Sequence, residues 1–444
     1  MKTLLNAVDK NKQLIIDTQN YVWANPETGY KEFKTSKYME DKFTELGYDI
    51  VKAENITGFY TTIDTGRPGP TLLILGELDS VICPSHPEAD KTTGAVHSCG
   101  HSAQCAALIG IAAALKEKGA LDELSGKIKL CAVPAEELLE IEYRSELIKK
   151  GIIKYYGGKT EFLHRGYFDD VDLAFMVHAS ASNCYYAING AVGIIAKHVE
   201  FIGQASHAGG APWSGKNALY AANTAINACN ALRETFKEED IIRFHPIITN
   251  GGSIVNAIPE STKMESFVRG KTFDAIVTAN KRLNQAIIGG ALALDCNVKI
   301  NDNAGYAPLV NSVDMLDVAK EAHSLVGTDI PYKYSDETWS ASTDMGDLSC
   351  IMPVVHPYAP GSVGIAHGND YYVKDVDSAC IGSAKWQLAM AYLLLKDGAK
   401  RATEIVKNFK APFKSKKEFL DFYDSLSSSG ERITYSEQGA KVDL

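Results

Sequence analysis

The 444-residue chain has no apolar stretch of ~18 or more residues, so no transmembrane helix is expected. It has no excess of basic residues either. Lys plus Arg number 45 against 55 for Asp plus Glu, a formal net charge of -10. That balance argues against a nucleic-acid partner, whose phosphates need a basic face, and against docking on an anionic membrane. The opening segment MKTLLNAVDKNK lacks a secretory apolar core, because Asp9 and Lys10 interrupt it. Nine cysteines, an odd number, are scattered from Cys83 to Cys380. Their dispersal fits free thiols in a reducing cytoplasm better than a disulfide framework. Repeats and low-complexity tracts are absent. What is there is ordinary for a soluble protein, 45% apolar and 23% charged. The length suits two or three domains of ~100–200 residues.

Helical spacing covers 3–23, stopped by Asn25-Pro26, and a second helix covers 34–46, closed by Gly47. Three short apolar runs follow: TLLILG (71–76), KIKLCAV (127–133) and VDLAFMV (171–177). They scarcely alternate, which predicts strands buried on both faces, as in a parallel sheet. Helical stretches at 102–117 and 140–150 lie between them, giving a βαβ pattern. From about 190 the texture changes. A better-alternating strand (193–203), a helix (216–236), strands near 244–249 and 261–269, a helix (273–290) and a strand (296–302) follow in turn. That β-α-β-β-α-β order is a ferredoxin-like split unit. Helices are expected again at 312–325, 376–396 and 415–427, and the final residues read as a loose tail. The fold class expected is α/β. An α/β domain (1–190 and 309–444) with a mostly parallel central sheet is interrupted by an inserted ferredoxin-like α+β domain (191–308).

In open α/β sheets, sites form at the carboxyl ends of strands. Glu77 and Asp79 follow the first run, Glu136-Glu137 the second and His178 the third, while His97-Ser98-Cys99-Gly100-His101 opens the Ala-rich helix. Each has an ordinary explanation: a cysteine in the core, a solvated acidic loop, a hydrogen-bonded core histidine. Their coincidence at successive strand ends is what points to a metal site. Thiolate, imidazole and carboxylate are ligands of a borderline metal such as zinc. Asp79 suits a partner that orients a ligand. One of the Glu136-Glu137 pair suits a ligand and the other a general base.

The strings NPETGYKE (25–32), GELDS (76–80), HSCGH (97–101), PAEE (134–137), VHA (177–179), GQASHAGGAPWSGKNAL (203–219), GGSIVNAIPE (251–260) and STDMGDLS (342–349) occur in order. Together they resemble the bacterial amidohydrolase branch of the aminoacylase and carboxypeptidase-G metallopeptidase family, over about residues 13 to 390. The resemblance implies a catalytic α/β domain and a lid that forms a homodimer. It implies two divalent metal ions, zinc or manganese, held by Cys99, His101, Glu137, His178 and His367, with Cys99 bridging. Glu136 would be the general base and His207 the oxyanion donor, often supplied by the partner subunit. Asn256 and Arg269 would bind the carboxylate of a small-molecule substrate, Arg offering a bidentate fork; the plain alternative for Arg269 is a surface strand charge.

The chain also departs from the pattern. Ser102 and Gln104 stand where relatives commonly carry Asp or Asn and a further His. LLEIEYRSELIKKG replaces a Gly-rich stretch after the Glu pair, and 151–170 is unusually aromatic. The activity expected is amide cleavage of an N-acyl amino acid such as an aminobenzoyl-glutamate. Alternatives are a dipeptidase for β-alanyl-type dipeptides and a non-catalytic binding protein on the same scaffold. A cysteine hydrolase pairing Cys99 with His101 is weaker, since residues two apart seldom face each other. His97 is expected to support the metal loop, His356 to be a lesser candidate for lining the pocket, and Asp344 and Asp347 to cap a helix more readily than to orient ligands.

Overall fold

The strand Thr71–Glu77 is buried along its whole length, as its unbroken apolar run predicts. It lies between Lys127–Val133 and Leu173–Phe175, parallel to both, and Val354–Val355 extends the sheet in parallel. Phe59–Asp64 joins the other side antiparallel. The computed structural model describes residues 1–444, and the chain divides into two compact units.

The first unit comprises Met1–Gly190, Val310–Glu337 and Thr343–Lys414. At its centre is the helix His101–Leu115, all of whose residues are buried. A helix apolar all round belongs in a core, and this one packs on Thr71–Glu77 and on flanking helices. The helix expected over 3–23 is two helices, Lys2–Lys10 and Lys12–Ala24, joined at Asn11. His178–Ser180 forms a second, small parallel pairing with Tyr358–Pro360.

The second unit comprises Ala191–Leu309, Thr338–Ser342 and Ser415–Leu444. Gly193–Ile202 runs between Ser261–Gly270 and Asn297–Tyr306, antiparallel to both. Burial alternates along Ser261–Gly270, with helices Ala218–Ala231 and Phe273–Leu292 supplying apolar side chains to the same core. The expected split order is present. The helix expected near the chain's end forms as Lys416–Ser425, but residues 415–444 belong to this unit rather than the first, and those after the helix are not a loose tail. Ser428–Glu431 adds an edge strand beside Asn297–Tyr306, and Ile433 is buried in the core. The run SSSGE has almost no side-chain pattern, so its strand is set by backbone pairing that periodicity does not report.

All nine cysteines are free thiols. No helix is long and apolar enough to cross a membrane.

Candidate metal centre

The parallel strands end on one edge of the first unit. Glu77 ends Thr71–Glu77 and Asp79 follows it, while Glu136 and Glu137 come after Lys127–Val133. The loop 97–100 delivers Cys99 and leads into His101 at the start of the buried helix. Gly100 makes that approach possible. Its φ is +92°, and a Cβ would stand 2.3 Å from the Tyr371 hydroxyl.

The buried His101 and the half-buried His178 are set in the same way. His101 Nδ1 donates to the Asp79 carbonyl at 2.9 Å, with the Asp79 carboxylate at 3.1 Å. His178 Nδ1 donates to the Ala179 carbonyl at 2.7 Å. Fixing the proton on Nδ1 leaves each Nε2 lone pair for a ligand role. His178 Nε2 lies 3.5 Å from Cys99 Sγ. His101 Nε2 is buried without a hydrogen-bond partner. Such an unpartnered nitrogen among anionic groups fits a metal ligand.

Asp79 has a second task, since its other oxygen accepts the Glu137 N–H at 2.8 Å. His367, at the exposed rim, has its backbone N–H on the Ser98 carbonyl at 2.8 Å and its Nε2 2.9 Å from Glu137 Oε1. The ligand atoms therefore fall into two triads, Cys99–His101–His178 and Cys99–Glu137–His367, each within 4.8 Å of one another. Cys99 is common to both. A third group, Glu77–His101–Glu136, adjoins them.

The charges follow this crowding. Burial and Glu137 push the Cys99 thiol up, but His101, His178 and His367 outweigh them and bring it down to about 6. Glu137 raises His367 to about 12. Burial disfavours a charged Glu137, yet His367 holds it well below the usual carboxylate range. Glu136 is the opposite case: burial, then the Glu77 and Glu137 charges, push it well up. Two adjacent carboxyls thus have opposed proton affinities, the pattern of a ligand beside a base.

Glu77 was not given a role from sequence. Its Oε2 lies 3.2 Å from His101 Nε2. Gln104 accounts for one departure, for its amide donates to Glu77 Oε2 at 2.7 Å and its carbonyl accepts the Glu77 N–H at 3.3 Å. Buried Lys159 bridges Glu77 and Asp344. Asp344 does stand before the helix Met345–Ser349 but makes no capping bond; both its oxygens go to Lys159. Asp347 likewise accepts from Thr160. The capping expectation fails because the partners come from a segment 185 and 187 residues away. Nothing in the structure explains Ser102, whose buried hydroxyl has no partner. His97 and His356 are also buried with both nitrogens unpartnered; the His356 ring centroid lies 5.9 Å from that of His178.

His207, Asn256 and Arg269 belong to the second unit. His207 pairs with Ala257, and Ala208 N–H donates to the Asn256 carbonyl at 2.9 Å, so these two candidates occupy neighbouring loops. His207 Nδ1 accepts from Gly209 and Gly210 at 3.2 and 3.0 Å. A neutral imidazole held that way carries its proton on Nε2, as a donor. Arg269 is half-buried, with Nε on His245 Nε2 at 3.3 Å and Nη1 on Ser342 Oγ at 3.0 Å.

The pattern of peptidase family M20/M25/M40 matches residues 73–391. The chain belongs to that family. It is 31% identical to the human Xaa-Arg dipeptidase over 298 residues, which cover 64% of this chain. The chain spans 62% of that relative's length. It is 24% identical to the hippurate hydrolase of Campylobacter jejuni over 84% of this chain and 95% of that one. Among solved structures, an M20-family dinuclear metal binding peptidase from Bacillus subtilis superposes with a TM-score of 0.64. The two are 18% identical, with 86% of this chain and 98% of that one covered. The M20 fold is thus shared over nearly the whole chain.

Proposed function

We propose that this M20 protein is a metal-dependent amidohydrolase that releases an amino acid from an N-acyl amino acid. The observation that carries the reading is the pair of ligand triads sharing Cys99, with Glu136 beside them. The donor set of one thiolate, three imidazoles and one carboxylate fits two divalent ions, zinc or manganese. When bound, such ions polarise a scissile carbonyl and lower the pKa of water. Cys99, His101 and His178 would hold one ion, and Cys99, Glu137 and His367 the other. Asp79 orients His101 and pins Glu137. Glu136, whose proton affinity is raised, takes the proton of the attacking water and passes it to the leaving amine. His207 donates Nε2–H to the developing oxyanion, while Asn256 and Arg269 receive the substrate carboxylate. The domain roles are a catalytic first unit and a lid in the second, through which two chains pair.

A panel of N-acyl amino acids and dipeptides, with zinc or manganese added, tests this reading. Cleavage lost on chelation and regained with metal is expected; cleavage by metal-free protein would rule the mechanism out. Proton competition gives the pH dependence. His367, raised to about 12, must shed a proton to ligate, and so must any Cys99 still protonated below about 6. Metal affinity should therefore rise with pH and fall steeply below about 6, as read by titration of the apoprotein. A flat profile would exclude these two ligands.

His207→Ala should lower kcat about 10²–10³-fold with metal content kept. Equal loss of both would put His207 among the metal ligands.

A dipeptidase is the second reading, favoured by the human Xaa-Arg dipeptidase relative. Comparing one amino acid's dipeptides with and without an acetylated amine separates the two: a dipeptidase needs the free amine.

A further inference from the structure

The loop that carries Glu136 and Glu137 is held in a costly backbone shape by distant groups. Ala135 has φ +56°, a region disfavoured for L-residues. Its N–H donates to Glu32 Oε1 at 2.8 Å, and its carbonyl accepts from Gly158 N at 3.1 Å. Glu137 N–H is taken by Asp79. The Glu137 carbonyl accepts from Leu139 N at 2.8 Å and from the guanidinium of Arg144.

Arg144 lies on the helix Ile141–Lys149, inside the stretch that departs from the family pattern, and is 1% exposed. Its Nη1 donates to the Tyr156 carbonyl at 2.7 Å, its Nε has no partner, and the Tyr30 ring centroid lies 5.6 Å away. A buried guanidinium met by carbonyls rather than a carboxylate is expensive. Packing alone would be served better by Leu or Met. The surroundings are cut to admit it. At Gly29 a Cβ would stand 2.4 Å from Arg144 Nη2 and 2.9 Å from Ala135 Cα.

We propose that Arg144 is a positioning residue for the Glu136–Glu137 pair. Its guanidinium holds the Glu137 carbonyl and, with Glu32 and Asp79, sets the aim of both carboxylates. Rotation of that peptide unit would turn Glu137 away from its ligand place and Glu136 with it. The effect on turnover rests on the hydrolase reading above; the effect on metal affinity does not.

The test compares Arg144→Met, Arg144→Lys and Leu147→Ala in the full chain, by zinc titration, kcat, KM and thermal midpoint. Leu147 sits on the same helix in the small apolar cluster with Tyr30 and Ala135. Arg144→Met should keep or raise the midpoint, because it removes a buried charge, yet weaken zinc binding and lower kcat about 10–100-fold with KM little changed. Arg144→Lys should recover part of both. Leu147→Ala should lower the midpoint while the folded protein keeps zinc affinity and kcat. Parent-like zinc affinity in Arg144→Met overturns the proposal, as does an equal loss in Leu147→Ala. An unfolded Arg144→Met beside a folded Arg144→Lys of parent affinity would reduce Arg144 to packing. If the parent binds zinc but cleaves nothing in the panel, the hydrolase reading fails and the zinc arm still decides the role of Arg144.

Discussion

Replacing Glu136 by Gln should cut turnover about 10²–10⁴-fold while the metal stays bound. Glutamine keeps the shape of the side chain and removes the basic oxygen. Glu136 is buried, and burial together with the Glu77 and Glu137 charges raises its proton affinity. A carboxylate whose proton affinity is raised takes a proton more readily, whereas its neighbour Glu137, held ionised by His367, suits ligation. The two therefore separate by experiment. Glu136→Gln should retain the parent metal content and lose kcat, and Glu137→Gln should lose metal first. Substantial turnover in Glu136→Gln, measured under saturating substrate, would assign the base elsewhere.

The second large effect is on stability. Lys159 has no exposed side-chain surface and bridges Glu77 and Asp344, which are buried as fully. Burial would raise the Glu77 pKa, but Lys159, together with His101 and His178, outweighs it and brings the group down to about 2. Lys159→Met would leave the Glu77 and Asp344 carboxylates without the ammonium that bridges them. Breaking a buried pair from one side costs about 3–5 kcal/mol. Denaturant unfolding at neutral pH should register that loss. A Lys159→Met, Asp344→Asn double change should cost less than the single change, since it also removes an uncompensated charge. A single-change loss within the scatter of ordinary surface substitutions would mean these pairs do not hold the floor of the site. The contribution of Glu77 itself has a definite pH window. Its pKa is lowered on folding, so its stabilisation is complete above the usual carboxylate value and fades as pH falls towards about 2.

How far this was legible in the residues depends on what each element relies on. The unalternating runs at 71–76 and 127–133 predict buried strands, and titratable groups directly after them mark the edge where the site forms. That logic reaches Cys99, His101, Glu136, Glu137 and His178. His367, His207, Asn256 and Arg269 carry no such periodic signal, and only the resemblance of their motifs singled them out. Lys159 and Arg144 escaped altogether. On the page EIEYRSELIKK is an ordinary polar helix, and a buried charge looks like a solvated one until its partners, from Glu77 to Asp344, are brought together by the fold. Gln104 was visible as a departure, but its purpose was not, because it depends on the position of the Glu77 carboxylate. The strand at Ser428–Glu431 was missed for a different reason: its place is an edge that backbone hydrogen bonds fill whatever the side chains.

Anomalous diffraction from crystals of the zinc- or manganese-loaded protein tests the shared-thiolate centre most directly. Two peaks per chain are expected, one beside His101 and His178 and one beside Glu137 and His367, with Cys99 Sγ between them. A single peak, or peaks away from Cys99, would contradict it.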